Sequence, residues 1–269
     1  MIVELFGPQG VGKTTFARAL AARLQMQHHA VDLILSYRPA ERPRPELRRT
    51  HPALHRATAV ASRLTRPAVE LLTMTRHPLA CSHDVSIASK LLHALPQRGL
   101  LSSIRLTQYI LRLSRSWHLA IESDRIALFD QAFVQAIHSL VLFSRITDDA
   151  LIARALEVIP KPDMLIQLDA PHAVLDARLR DRQRSQSLLE RLLEIDPKVN
   201  VEATQIFRQL HDLLRRQGQV VTIIDSSDPE ILVDTVNRIA EQIAAELRAR
   251  PAKHLELADG ISSERYGHV

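Results

Sequence analysis

Five short apolar runs recur along the chain at residues 2–6, 31–35, 126–130, 164–169 and 220–225. Each is five or six residues long, rich in Val, Ile and Leu, and bounded by polar or turn-forming residues. Such runs read as strands buried on both faces. The text between them has helical spacing. After Gly12, Phe16, Leu20 and Leu24 fall four apart and mark one helical stripe. Further helices are predicted at 53–75, 85–95, 100–121 and about 131–144. Another starts near Thr147, with Asp148 and Asp149 in its first turn. The last three span 171–184, 201–217 and 229–250, two of them opening on Pro171 and Pro229. Three stretches break the pattern. Residues 38–52 carry four prolines among many charges and read as a mobile basic loop. Residues 185–200 read as a polar flap, and 251–269 as a loose tail. Strands alternating with helices predict an α/β fold around a parallel sheet covered on both faces.

Composition narrows this picture. A chain of 269 residues suits one α/β domain, here about 1–250, with room for an insertion. Aromatics are 4% of the chain, so the core must be built from Leu, Ile, Val and Ala. The net charge is +5, almost all of the excess carried by Arg, which suits an anionic partner but does not name one. Cys81 is the only cysteine, so no intrachain disulfide can form and a cytoplasmic setting is expected. No stretch is long and apolar enough to predict a membrane span. The histidines come with no Cys pair and no H-E-x-x-H pattern, so zinc is not expected.

Gly is scarce, and three of the seven glycines, Gly7, Gly10 and Gly12, lie within six residues. They belong to Gly7-Pro8-Gln9-Gly10-Val11-Gly12-Lys13-Thr14, which satisfies G-x-x-x-x-G-K-[ST]. The spacing has a physical reason. Glycines let successive backbone N–H groups turn inward around phosphate oxygens, and the following helix aims its positive end at the same anion. Lys13 would reach the terminal phosphates, the Thr14 hydroxyl would ligate Mg²⁺, and the nucleotide-binding set extends to Thr15. A strand before the loop and a helix after it complete the context.

The order of pieces resembles the P-loop kinases of the thymidylate kinase and nucleoside–nucleotide kinase group. The resemblance lies in GPQGVGKTT, IALFDQAFVQAI, IPKPDMLIQLDAPHAVLDARLRDR and VVTIIDSSDPEILVDTVNRIAEQI. It covers about 1–36 and 124–248. It implies a three-layer P-loop NTPase sandwich with strand order 2-3-1-4-5, a helical insertion at about 53–121 and a lid at about 183–200. It also implies ATP and Mg²⁺ as cofactors and a small-molecule phosphate acceptor. By the same resemblance Asp130 would handle the acceptor hydroxyl or hold Mg²⁺. Arg178 and Arg182 would clamp the transferring phosphoryl, with Arg191 a weaker lid candidate. The 226–229 loop would pack on adenine, and Asp169 would be structural. Arg38 and Gln131 would face the acceptor. Gln131 departs from the group, which carries Arg there, so a neutral acceptor or a different phosphate clamp stays open.

On the insertion, Arg105, Tyr109, Arg112, Arg115 and Trp117 could form an acceptor-binding wall or a nucleic-acid patch. The simpler expectation is an amphipathic helix with Leu106, Ile110 and Leu113 buried. Two functions follow. One is an ATP-dependent phosphotransferase acting on a nucleoside, nucleotide or similar small molecule. The other is an ATP-binding or hydrolysing switch that engages a partner through the insertion. An RNA-associated ATPase would rest on charge alone. Monomer and homodimer stay equally open. A phosphotransferase needs a cavity beside Asp130, whereas a switch could leave that volume packed and expose an apolar patch on the insertion.

Overall fold

The computed structural model describes residues 1–36, 81–97, 99–185 and 197–249. The expected basic loop at 38–52, the helix at 53–75, the centre of the flap and the tail at 251–269 lie outside the described residues. In chain order the elements are β1 (Ile2–Phe6), α1 (Lys13–Met26), β2 (Val31–Ile34), α2 (Cys81–Ala94), α3 (Leu100–Glu122), β3 (Ile126–Phe129) and α4 (Phe133–Ser144). Then come α5 (Asp149–Val158), β4 (Met164–Asp169), α6 (His172–Ser185), α7 (Pro197–Arg216), β5 (Val221–Asp225) and α8 (Pro229–Ala249). The five strands form one sheet in the order β2-β3-β1-β4-β5, with every pairing parallel. This is the P-loop three-layer sandwich that the sequence predicts.

Strand alternation sorts the apolar side chains onto two faces. Val3, Leu5, Leu128, Ile166 and Leu168 pack under α1 and α8. Ile2, Phe6, Ala127, Phe129 and Leu165 pack under α3, α4 and α7, with α2 and α5 completing that layer. Both faces of the three inner strands β3, β1 and β4 are covered, which explains why those strands read as apolar runs.

Some boundaries differ from expectation, for identifiable reasons. β3 ends at Phe129, one residue before the expected Asp130, whose N–H still donates to Ile34 O at 3.2 Å while its side chain bonds two other segments. Asp148 precedes α5 as its cap, its carboxylate accepting from Ala150 N at 2.8 Å. α7 begins at Pro197, four residues earlier than expected, so residues 197–200 of the flap are helical. Proline at a first helical position needs no N–H and carries the favoured φ, so it starts the helix ahead of the apolar stripe. Residues 186–196 of the expected flap lie outside the described residues. α2 begins at Cys81 rather than residue 85.

α2 packs on α3 and α5, and α3 meets β3 and α4 through one large aromatic side chain. Trp117 of α3 is 2% exposed, and its ring lies 5.2 Å from Phe129 and 5.3 Å, edge-on, from Phe133. Leu106, Ile110 and Leu113 are buried on the same stripe, as the amphipathic expectation requires. Trp117→Ala should therefore lower unfolding free energy by about 3–5 kcal/mol, the range for emptying a large aromatic site. Urea denaturation of wild type and variant measures it. An effect below about 1 kcal/mol would mean that α3 is not anchored through this ring.

Candidate active site

β1 delivers the chain into the glycine loop at the carboxyl edge of the central strand. Gly7 has φ 144°, and a Cβ there would collide with the Leu168 carbonyl oxygen of β4. Gly10 and Gly12 have φ 79° and 97°, conformations that L side chains rarely adopt. Gly12 is also the N-cap of α1, and no side chain caps that helix. Instead Gly12, Lys13, Thr14 and Thr15 line a cavity of ≈ 710 Å³. Uncapped amides and the positive helix end thus meet at the cavity wall, the arrangement that suits phosphate. Lys13 is buried, its Nζ donating to Gly7 O at 2.6 Å and Pro8 O at 2.8 Å. The ammonium therefore lies against the loop that would hold the phosphates. Gln9 and Gly10 also line the cavity, while Pro8 and Val11 shape the loop through their carbonyls.

Asp130 sits just past β3 and is 1% exposed. Its Oδ2 accepts from the Thr14 hydroxyl at 2.8 Å. Its Oδ1 accepts from Ser36 N at 2.7 Å and the Ser36 hydroxyl at 3.2 Å. The carboxylate thus ties the end of β3 to α1 and to the segment after β2. Ser36 is a residue that the sequence did not single out. The two oxygens expected to hold Mg²⁺ are adjacent, and their 2.8 Å separation suits neighbouring ligands of an octahedral ion, about 2.9 Å apart for metal–oxygen bonds near 2.0–2.1 Å. The residues present therefore fit that ion. Among the described residues no group of three His, Cys, Asp or Glu could hold a metal.

Behind the loop lies a second set of polar contacts that the sequence also missed. Glu4 is the one charged residue of β1 and is fully buried. Its Oε1 accepts from Val134 N at 2.7 Å in the first turn of α4, while Oε2 has no partner among the described residues. Burial pushes the Glu4 carboxyl up to about 8, against the opposing pull of the Val134, Phe133 and Gln135 amides. The Gln135 side chain accepts from Gly7 N at 3.4 Å, so α4 touches the glycine loop directly. His138, one turn further, stacks on Phe207 at 3.8 Å, with Nε2 3.1 Å from Ala203 O. Burial first, with Lys13 adding, drives His138 down to about 3, so its ring stays neutral. A charged residue inside an apolar strand was a visible anomaly. Its partner, an amide 130 residues away, was not.

The far wall of the cavity comes from α3 and α4. Tyr109, Arg112, Leu113 and Ser116 line it from α3; Gln131 precedes α4, and Gln135 and Ser139 belong to it. The amphipathic expectation thus holds for the apolar stripe, and an adjoining face of the same helix forms a cavity wall. Tyr109 Oη is buried with no partner among the described residues. Burial, then the Glu4 and Asp130 carboxylates, push its phenol upward, with Arg112 pulling the other way. Gln131 also lies on this wall.

Arg178 lies across the loop from α3. Its Nη2 donates to Ser226 O at 2.7 Å and Ser227 O at 3.4 Å, and its Nη1 to Val11 O at 3.4 Å. The Ser226 hydroxyl donates to Val11 O at 2.7 Å and Asp169 O at 3.1 Å. The guanidinium therefore joins the glycine loop to the loop after β5, while still lining the cavity. Asp169 bonds Ala170 N locally, in line with a structural role. Arg38, the Arg182 side chain and Arg191 lie outside the described residues.

Comparisons with known proteins give only distant likeness. No protein-family model matches the chain, and no curated protein matches it. Two similar solved structures are those of deoxyadenosine kinase from M. mycoides, one with bound dCTP and one with the products dCMP and a flexible dCDP. Each is 12% identical with TM-score 0.44, over 93% of this chain and 100% or 99% of the other. No helix of the described residues is long and apolar enough to cross a membrane.

The buried Glu4 carboxyl generates a pH prediction. Its folded-state value lies above the unfolded 4.5, so the folded chain holds a proton that the unfolded chain has lost. Stability from this group is full below about 4.5 and falls as pH rises through about 8. His138 acts oppositely, losing stability as pH falls from 6.5 towards 3, so Glu4 shows alone between about 6.5 and 8. Glu4→Gln should flatten the decline of Tm across that window. Parallel wild-type and variant curves would contradict the assignment.

Proposed function

We propose that this protein is an ATP-dependent phosphotransferase acting on a small-molecule acceptor such as a nucleoside or nucleotide. One observation carries the reading. The glycine loop with Lys13 and Thr14 forms one wall of the ≈ 710 Å³ cavity, the Asp130 carboxylate is tied to Thr14 beside it, and α3 forms the facing wall. The volume suits a small substrate, and the lining mixes a few polar groups with apolar ones. Phosphoryl transfer asks little covalent chemistry of a protein; positioning and charge neutralisation supply the acceleration.

The roles follow from position. The amides of residues 7–15 would cradle the phosphates. Lys13 would leave the Gly7 and Pro8 carbonyls for the terminal phosphates, a short movement of a flexible stem. Thr14 and Asp130 would hold Mg²⁺, which when bound would screen charge on the terminal phosphates. Asp130 would also orient the acceptor. Arg178 would steady the junction between the glycine loop and the 226–229 loop, where adenine would pack, and Arg182 would act from the lid. Gln131 would face the acceptor, with Arg38 assigned the same side by resemblance.

The regulatory alternative asks for an exposed apolar patch on the insertion. Among the described residues of the insertion, Val85 of α2 and Ile104, Leu119 and Ile121 of α3 are exposed, but Ile104 lies about 22 Å along the axis from Leu119, and Leu119 and Ile121, two apart, do not share a face. Scattered single apolar side chains are ordinary and do not make a docking face. The cavity beside Asp130 therefore favours the phosphotransferase.

Lys13→Ala should abolish detectable transfer, a loss of about 100-fold or more, without changing the far-UV circular dichroism. Retained turnover in a screen of nucleosides, nucleotides and sugars would refute the reading. Asp130→Asn should bind nucleotide near the wild-type level while turnover drops steeply; unchanged turnover removes Asp130 from the reaction.

A further inference from the structure

We infer that Gln135 and Glu4 are positioning residues for the nucleotide: Gln135 anchors the first residue of the glycine loop from α4, and Glu4 acts through it by fixing the helical turn that carries it. The inference deepens the phosphotransferase reading and rests on a nucleotide occupying the glycine loop.

Gly7 is where the chain leaves β1 and enters the loop, and it is held from three sides. The Leu168 backbone packs where a side chain would stand. The Gly7 carbonyl accepts from Lys13 Nζ at 2.6 Å. The Gly7 N–H donates to Gln135 Oε1 at 3.4 Å. A backbone N–H can only donate, so the Gln135 atom that faces it is the amide oxygen. Gly7 N therefore points at α4. It serves the loop as an anchor and leaves the phosphate cradle to the amides that follow.

Lys13 cannot hold the loop and the phosphates together. To reach the terminal phosphates its ammonium must leave Gly7 O and Pro8 O. The loop thus loses two ties at the moment it takes a ligand. The Gln135 tie comes from a different helix and meets the amide, not the carbonyl, so it persists. Gly7 then depends on Gln135 more in the bound protein than in the free one. A contact of equal worth in both states changes stability alone, whereas one worth more in the bound state changes affinity.

Gln135 itself needs a fixed base. It is the third residue of α4 and is buried, and no side chain of the N-cap residue Ala132 caps that helix. An uncapped first turn has amides without partners and is free to fray. Glu4 supplies the missing acceptor: its Oε1 takes the N–H of Val134, the residue just before Gln135, at 2.7 Å. Glu4 lies on β1 three residues before Gly7. The strand that feeds the loop therefore also holds the helix that anchors the loop. Strand, acid, helix turn, amide side chain and Gly7 close a circuit, and removing either side chain opens it.

The test is calorimetry on the full chain with Mg²⁺ and a non-hydrolysable ATP analogue. Gln135→Met keeps the length of the side chain and removes the acceptor. It should weaken analogue binding about fivefold, the scale of one neutral hydrogen bond. Glu4→Leu should weaken it by a similar factor, while Glu4→Gln, whose oxygen still accepts from Val134 N, should bind as wild type does. The double variant Glu4→Leu with Gln135→Met should bind no more weakly than Gln135→Met alone, because the two act in series. Amide hydrogen exchange at Gly7 gives a second readout. The analogue-bound wild type should protect that amide, and analogue-bound Gln135→Met should lose the protection. Should Glu4→Leu fail to fold, Gln135→Met and the exchange measurement still decide. Unchanged affinity in Gln135→Met, or Gly7 protection that survives it, overturns the inference and leaves the nucleotide reading standing. Losses that multiply in the double variant, or equal losses in Glu4→Leu and Glu4→Gln, overturn the role of Glu4. A wild-type chain that binds no analogue overturns both the inference and the phosphotransferase reading.

Discussion

One buried carboxylate holds the carboxyl edge of the sheet together beside the glycine loop. Asp130 bonds Thr14 at the start of α1 and Ser36 after β2, while its own backbone follows β3. Three strands that are far apart in sequence thus end at a common point. A carboxylate at 1% exposure is expensive unless its lone pairs are filled, and here three donors fill them. The cost of burial is thereby converted into a fixed geometry for the glycine loop.

Glu4 makes a related use of a buried acid one layer deeper. It sits on the central strand beneath the first turn of α4, where helix amides lack partners of their own. No residue of α4 itself caps that end; the cap comes from β1. Gln135 then reaches from α4 to Gly7 N. Helix α4 is therefore registered against the glycine loop through both backbone and side chain. The price of this arrangement is a carboxyl whose protonation rises with burial, so the fold trades some stability above neutral pH for alignment.

Helix α3 shows how one amphipathic element serves two purposes. Leu106, Ile110, Leu113 and Trp117 lock it onto Phe129, Phe133 and their neighbours. Tyr109, Arg112 and Ser116 then stand on an adjoining face, towards the cavity. The rigid packing of the first set is what gives the second set a defined position. Because β3 carries both Phe129 and the turn into Asp130, the same strand end supports the wall and the carboxylate.

The sequence by itself determined the strands, most helices and the glycine loop, while the sheet order was implied only by the resemblance to P-loop kinases. Apolar periodicity and glycine placement are local signals, and a parallel sheet leaves short continuous apolar runs whose length and flanking turn residues mark them as strands. Lys13, Thr14 and Asp130 were legible because motif spacing and strand ends mark them. Tertiary structure alone decided the rest. Ser36, Glu4 and Gln135 enter the site through partners 94 to 130 residues away, and no local pattern encodes such a pairing. The same holds for Arg178, which the sequence assigned to a phosphoryl clamp and the fold bonds to the carbonyls of Val11 and Ser226. Which face of α3 meets the cavity was also a tertiary matter. Helical spacing fixes which residues share a stripe, but only packing against Phe129 and Phe133 fixes where the neighbouring stripe points.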